Sequence, residues 1–326
     1  MGVLDDDSPV AVHFGVAGNY EPIDGKTNIL FTMWESEWQG EDEVLPVIEA
    51  FRPPLVVTPC DWNTQMLRRL APWQAVETVP LGYDPGLMRY TRRRWRPRAG
   101  RFRVLYLGAP NYRKYTVTRE VYTALRWMRP KLLAKGIDLE WYWKVTGAAS
   151  EYAVEELSQT GQMETLEKDL YRGDDWVVDN RFLDRHQVAD LYHSAHLFLA
   201  LHGGEGFGLN AFEAMATGCP LVVTDHSGTT QFATSRNASL VGWDDCAIKV
   251  HGPEGPMDQR VILPRLPEAL DAVVRVVSDY YAATERAKRA RADIEAMTWS
   301  ASARRLYYLA ENVGSLGTDR AAAVAV

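Results

Sequence analysis

The sequence predicts an α/β protein built on parallel sheets, and three observations carry that prediction. Short apolar runs of strand length alternate along the chain with longer amphipathic stretches of helical period. Runs such as Asn28–Met33 and Leu55–Thr58 are largely apolar at successive positions, as strands buried on both faces are. Strand-like runs also end in glycine ahead of helical sequence, at Gly108 and again at Gly203–Gly208. The 326 residues leave room for one large domain or two with separate cores. Hydrophobic and charged fractions of 46% and 24% are ordinary for a globular chain, and no run approaches the roughly 18 apolar residues of a spanning helix, which argues against membrane insertion.

Each element follows from its pattern. In the first part, Asn28–Met33, Leu55–Thr58 and Val76–Pro80 read as strands, with helices over Glu43–Phe51 and Asn63–Leu70. The stretch Asp84–Arg101 holds Pro85, Pro97 and Gly100 among many charges and reads as a linker. Beyond it, Phe102–Leu107, Leu139–Val145, Trp176–Val178, His196–Leu201 and Pro220–Thr224 read as strands. Helices are expected over Val117–Lys135, near Ala153–Leu170, and over Gln187–His193, Leu209–Ala216 and Pro267–Ala290. Gly218 supplies the left-handed stop after the fourth of these. The small-residue tail Ala321–Val326 is expected to fray.

Charge is unevenly spread. Residues 1–90 hold fourteen acidic residues against five basic ones, a balance of −9 within a formal net charge of −7. An arginine run follows at once: Arg92, Arg93, Arg94, Arg96, Arg98, Arg101 and Arg103. It reads either as a solvated linker or as a strip able to hold phosphates, while the acidic body discourages polyanions. Cys60, Cys219 and Cys246 are odd in number with no C-x-x-C spacing, so neither a disulfide framework nor a zinc site is expected. The opening MGVLDDDSPV is acidic where a secretory signal is basic and then apolar, which makes a cytoplasmic location the expectation.

The stretch richest in chemistry is LALHGGEGFGLNAFEAMATGCPLVVTDHSG, residues 199–228. A strand delivers the chain to a glycine-rich turn, His202–Gly208, that opens directly into a helix. Glycines let the backbone approach a ligand closely, and the helix start offers free N–H groups and a positive dipole end for an anion. Two carboxylates frame the turn: Glu205 in the loop and Glu213 one turn into the helix. They are either ordinary surface carboxylates or acceptors for hydroxyl donors such as those of a sugar and a ribose.

Residues 205–213, EGFGLNAFE, with their flanks LYHSAHLFLALHGG and AMATGCPLVVTDHSG, resemble the E-x7-E segment of retaining GT-B glycosyltransferases of family 4. The resemblance implies a GT-B fold: two Rossmann-like α/β domains whose parallel sheets face a central cleft, here with the N-terminal domain reduced. It divides the chain into an acceptor-side domain over 1–93, a donor-binding domain over 94–295, and a C-terminal helix over 296–326 that crosses back. In such proteins Glu205 would contact sugar hydroxyls and Glu213 the ribose. The N–H groups near Phe207–Leu209 would meet sugar and diphosphate, with Gly204, Gly206, Gly208 and Gly108 shaping the donor pocket.

RFRVLYLGAPNYRKYTV, residues 101–117, resembles the family's strand and loop that end in an arginine–lysine pair. Lys114 matches the lysine and Arg113 sits beside it, but Ala109 stands where the earlier arginine belongs. In the first part, NILFTMWESEWQGEDEVLP, LVVTPCDWNTQML and ETVPLGYDP resemble the later segments of the acceptor domain. Glu35, His13 and Gly15 are acceptor-side candidates. The stretch ahead of Asn28 is short for that domain's first strands, and HFGVAGNY reads as a remnant of its opening loop. MTWSASARRLYYLAENV resembles the family's last helix.

These resemblances imply transfer of a hexose-type sugar from a UDP- or GDP-sugar to a hydroxyl, with retention of configuration and without cofactor or metal. The acceptor stays open among glycans, small molecules and hydroxylated DNA bases, so nucleic acid is retained as a partner to test. A catalytically silent sugar-nucleotide-binding protein and a GT-B epimerase are the alternatives.

Overall fold

Strands and helices alternate through the computed structural model, which describes residues 8–108, 112–145, 164–167, 170–252 and 255–313. The chain divides into two units. The first takes residues 1–82, Glu205–Gly208 and 296–326, and the second takes Tyr83–Gly204 and Leu209–Glu295. The second unit therefore opens at Tyr83 rather than at residue 94.

In the first unit, β1 (Val10–Phe14), β2 (Thr27–Phe31), β3 (Leu55–Thr58) and β4 (Val76–Thr78) form one parallel sheet in that order. All four residues of β3 are buried, which is what its unbroken apolar run requires. A π-helical turn, Gly40–Val44, leads into α1 (Leu45–Phe51), and α2 (Asp61–Leu70) follows β3. Leu30, Trp34, Ile48, Val56, Met66 and Leu67 form the core between sheet and helices. The strand β1 stands in the stretch ahead of Asn28 that reads as short for first strands; of HFGVAGNY it takes His13 and Phe14, and residues 15–20 follow it outside the sheet. It pairs with β2 over its whole length, yet only Ala11 in it is buried. An edge strand needs no apolar run, so the sequence signal for it is weak.

The second unit is larger. Its strands are β5 (Phe102–Leu107), β6 (Leu139–Lys144), β7 (Glu164–Glu167), β8 (Leu170–Arg172), β9 (Trp176–Asp179), β10 (Leu197–Ala200), β11 (Leu221–Thr224) and β12 (Ser239–Val241). They form one sheet in the order β12-β11-β10-β5-β6-β9-β8-β7, parallel from β12 to β9 and antiparallel beyond. Helices α3 (Tyr112–Trp127), α4 (Arg129–Ala134), α5 (Arg185–Ser194), α6 (Leu209–Ala216), α7 (Leu266–Ser278) and α8 (Tyr280–Asp293) accompany it. The core joins Phe102, Val104, Trp143, Trp176 and Leu199 to Ala272 and Val276 of α7. A hairpin of β13 (Trp243–Gly252) and β14 (Gly255–Pro264) stands apart from the large sheet. The last helix, α9 (Trp299–Glu311), groups with the first unit, where Ser302 Oγ donates to Pro80 O at 2.6 Å.

Several elements differ from their sequence patterns for local reasons. The helix expected over Val117–Lys135 starts earlier, at Tyr112, and breaks after Trp127, where Pro130 in the first turn of α4 cannot donate to a preceding turn. The helix expected over Pro267–Ala290 is two. Asp279 leaves the helical region and caps α8, its carboxylate accepting from Ala282 N at 3.0 Å. Of the helix expected near Ala153–Leu170, residues 153–163 lie outside the described residues, while Glu164–Glu167 and Leu170 are strand. The tail Ala321–Val326 also lies outside them.

Candidate functional site

Strand order decides where a ligand can sit in a parallel sheet. In the second unit the order reverses between β5 and β10: β6 and β9 extend to one side, β11 and β12 to the other. Chain leaving the carboxyl ends of β5 and β10 therefore parts in opposite directions, which opens a crevice at that edge. Two segments singled out in sequence leave there: Gly108 with the start of α3, and the chain from Leu201 to Gly204, which returns to this unit at Leu209, the start of α6. Gly108 N donates to Lys144 O at 3.1 Å, and Asn210 Nδ2 of α6 donates to Leu107 O at 3.1 Å. Arg113 and Lys114 fall in the first turn of α3, but their side chains lie outside the described residues.

The glycines have backbone reasons to be there. Gly208 takes φ +85° immediately before α6, a conformation costly for any residue with a Cβ. Gly206 belongs to the first unit, where a Cβ would come within 2.7 Å of Met33 Cγ. Its carbonyl accepts from Cys60 Sγ at 3.2 Å. Burial pushes that thiol up to about 12, so it stays a neutral donor. Gly204 and Phe207 are buried, while Glu205 and Leu209 are half-buried. Gly218 stops α6 with φ +78°, as the sequence predicts.

Glu213 lies on the inner face of α6 and is only 1% exposed. Arg185 Nη2, from the first residue of α5, donates to its Oε1 at 2.6 Å, and Tyr192 OH donates to Oε2 at 3.3 Å. The hydrogen bond to Glu213 holds Arg185 above its ordinary pKa, and burial followed by the Glu213 charge raises Tyr192 far above its own. Both partners therefore stay protonated donors. A carboxylate has about four acceptor positions, and the described residues fill two of them. Among the described residues the other half of its capacity has no donor. Arg185 and Tyr192 escaped sequence reading; the capping box of Asp184 and Gln187 marks only where their helix begins.

A second buried carboxylate, also missed, lies at the carboxyl end of β9. Asp179 is 0% exposed and accepts from Arg181 N and Nε at Oδ1, each at 3.0 Å. Its Oδ2 accepts from Arg181 Nη2 at 3.0 Å and from Tyr142 OH at 2.6 Å. Burial alone would raise its pKa, but the hydrogen bonds from Arg181 and Tyr142 prevail and hold it below the ordinary value. Beside it, buried Lys144 donates to Asp179 O and Val145 O, both at 3.0 Å, and burial lowers its pKa.

The acceptor-side candidates fall in the first unit. Glu35 follows β2, half-buried, with its N–H donating to Gln39 Oε1 at 2.9 Å. Asn63 Nδ2 fixes the preceding carbonyl, Trp34 O, at 3.0 Å. Gly15 follows β1 and is exposed, with open space where a side chain would stand. His13 is engaged structurally: Nε2 bonds Asn28 Oδ1 at 2.8 Å and the ring lies edge-on to Tyr20. Among the described residues, no group of three or more His, Cys, Asp or Glu side chains is placed to hold a metal, and no helix is long and apolar enough to cross a membrane.

Two α/β units, each built on a sheet with parallel central strands, define the GT-B class of folds. Solved structures agree: sucrose-phosphate synthase from Thermosynechococcus elongatus aligns with a TM-score of 0.64 at 16% identity, over 89% of this chain and 68% of that one. The Anabaena HepE protein in complex with UDP and glucose aligns with 0.61 at 13% identity, over 89% and 72%. The chain belongs to the family described as Family 4 Glycosyltransferase in conflict systems, whose model matches residues 62–306. It is also 32% identical over 120 residues to a lipopolysaccharide core biosynthesis mannosyltransferase, LpsB, of Rhizobium meliloti, a match spanning 36% of this chain and 33% of that protein.

Proposed function

We propose that this chain transfers a hexose-type sugar from a UDP- or GDP-sugar to a hydroxyl acceptor with retention of configuration. The observation that carries the reading is Glu213: a buried carboxylate at a topological switch point, held among the described residues by one arginine and one tyrosine, with its further acceptor capacity assigned to a ribose diol. Glu205, in the glycine-rich loop ahead of it, is assigned the hydroxyls of the transferred sugar. Lys114, with Arg113 beside it, carries the charge that develops on the departing diphosphate, a task the family resemblance gives to cations of the chain rather than to a metal. The N–H groups of Phe207–Leu209 complete the anion site. Similarity to a mannosyltransferase, and to a fold described with UDP and glucose, supports a hexosyl nucleotide as donor.

Catalysis then rests on positioning and preorganised charge. The acceptor is a glycan or a small molecule ahead of a hydroxylated DNA base. Isothermal calorimetry with UDP, GDP and their hexose conjugates tests the donor reading. One nucleoside diphosphate should bind in the micromolar range, at about −7 to −8 kcal/mol. Failure of every nucleoside diphosphate to bind would overturn the reading. Binding without slow donor hydrolysis or transfer would instead mark a silent sugar-nucleotide-binding protein, and isomerised donor would mark an epimerase.

A further inference from the structure

The arginine run does not behave as a linker. Arg93 is 7% exposed within the second unit, and every guanidinium N–H has an acceptor. Nε donates to Ala195 O at 2.7 Å and Nη1 to Thr217 O at 2.7 Å and Thr91 O at 3.2 Å. Nη2 donates to Tyr192 O and, at 3.0 Å, to Thr217 Oγ1. All these oxygens are neutral, so among the described residues no carboxylate offsets the buried charge. A neighbour registers it: burial, then Arg93 and Arg103, push the half-buried His196 down to about 4.

Four arginines have conventional partners or internal acceptors. Arg92 pairs with Glu285 at 3.2 Å, Arg101 with Asp138 at 3.2 Å, Arg103 with Glu140, and Arg93 as described. The side chains of Arg94, Arg96 and Arg98 are exposed, with no acidic partner among the described residues. Arg92, Arg93 and Arg94 line a concavity of about 280 Å³ with Trp95, Tyr280 and Tyr281, at the small end of ligand sites. Trp95 and Tyr280 pack inward, edge-on to Phe102, whereas Tyr281 is 69% exposed. Three arginines line this concavity beside an aromatic ring open to solvent, and among the described residues only Arg92 of the three pairs with a carboxylate.

We propose that this face of the second unit binds single-stranded nucleic acid, with Arg94 and its exposed sequence neighbour Arg96 on phosphates and Tyr281 as a stacking platform. Phosphate is the anion these guanidiniums match best, and a buried uncompensated cation beneath them raises the local positive potential. The exposed aromatic selects a single strand, because only unstacked bases present a face to it. The site is independent of glycosyl transfer and of the residues assigned to the donor.

Fluorescence anisotropy of the full chain with a labelled oligothymidylate of about twelve nucleotides tests this, between about 50 and 200 mM salt. Arg94→Gln with Arg96→Gln should weaken binding and flatten the log–log salt slope by about 1.4, roughly 0.7 for each lost phosphate contact. Tyr281→Leu should weaken binding about tenfold while leaving that slope unchanged. Inorganic pyrophosphate and polyglutamate should compete poorly at equal charge, and unlabelled oligothymidylate well. Wild-type melting temperatures in both variants ensure that surface, not fold, is read. No binding, binding indifferent to both variants, or equal displacement by polyglutamate or pyrophosphate would overturn the proposal.

Discussion

Glu213 and Asp179 make an instructive pair. Each is a buried carboxylate in the second unit, and each is held by an arginine and a tyrosine. Asp179 accepts four hydrogen bonds, its full capacity, from an arginine that grips both oxygens and a tyrosine at 2.6 Å. Among the described residues Glu213 accepts two, one from Tyr192 and one from an arginine that offers one nitrogen and whose side chain is 51% exposed. Burial alone does not distinguish a ligand site from a structural bolt. The number of donors that the described residues supply separates these two carboxylates, and it motivates the ligand role proposed for Glu213.

The largest expected effect lies on the saturated side. Asp179→Ala strands the buried Tyr142 hydroxyl and removes the carboxylate gripped by half-buried Arg181, and should cost about 3 kcal/mol of stability in urea denaturation. A loss no larger than that of Glu213→Ala would break the comparison. Nearly as large, but seen in rate rather than stability, is Lys114→Ala. It should raise the barrier to transfer by about 2–4 kcal/mol with little loss of nucleoside diphosphate affinity. Near-native turnover would move the role to Arg113.

Glu213→Ala should weaken nucleoside diphosphate and donor alike by about 1.5–3 kcal/mol at nearly unchanged melting temperature. Glu205→Ala should leave nucleoside diphosphate affinity unchanged by calorimetry while transfer falls. Equal losses in both variants would mean that the two carboxylates share one role. Arg185→Gln should lower donor affinity about fivefold, the worth of one hydrogen bond, with turnover at saturation preserved. A gain in affinity would show that Arg185 competes with the ligand for Glu213 rather than orienting it.

The smallest effect is in pH. Asp179 has a folded pKa below the ordinary 3.8. The unfolded chain therefore binds the proton first, so Asp179 adds stability that is present above 3.8 and lost as pH falls toward the folded value. Asp179→Asn should flatten the acid limb of the stability profile below pH 3.8. An unchanged limb would assign acid sensitivity elsewhere.

The segments legible in sequence are those whose signal is local. The run Leu55–Thr58 matches β3 to the residue, and Leu209–Ala216 with its Gly218 stop matches α6, because burial on both faces and a left-handed cap write themselves into adjacent positions. The E-x7-E segment is legible for the same reason: loop, helix start and both carboxylates lie within nine residues. The pairing of β13 with β14 is not legible in sequence, because its strands lack the apolar run that marks the large sheet.

By itself the sequence determined a parallel α/β chain of the family 4 kind and a glycine-rich turn before a helix, since periodicity and motif spacing are properties of neighbours. Only tertiary structure decided which carboxylates are saturated and which arginines are buried. Arg185 reaches Glu213 across 28 residues and Tyr192 across 21, and Arg93 finds acceptors more than 90 residues away. No local pattern encodes such pairings. They follow from the order in which the strands assemble, which places the carboxyl ends of β5 and β10 side by side and lets each buried charge find, or fail to find, its complement.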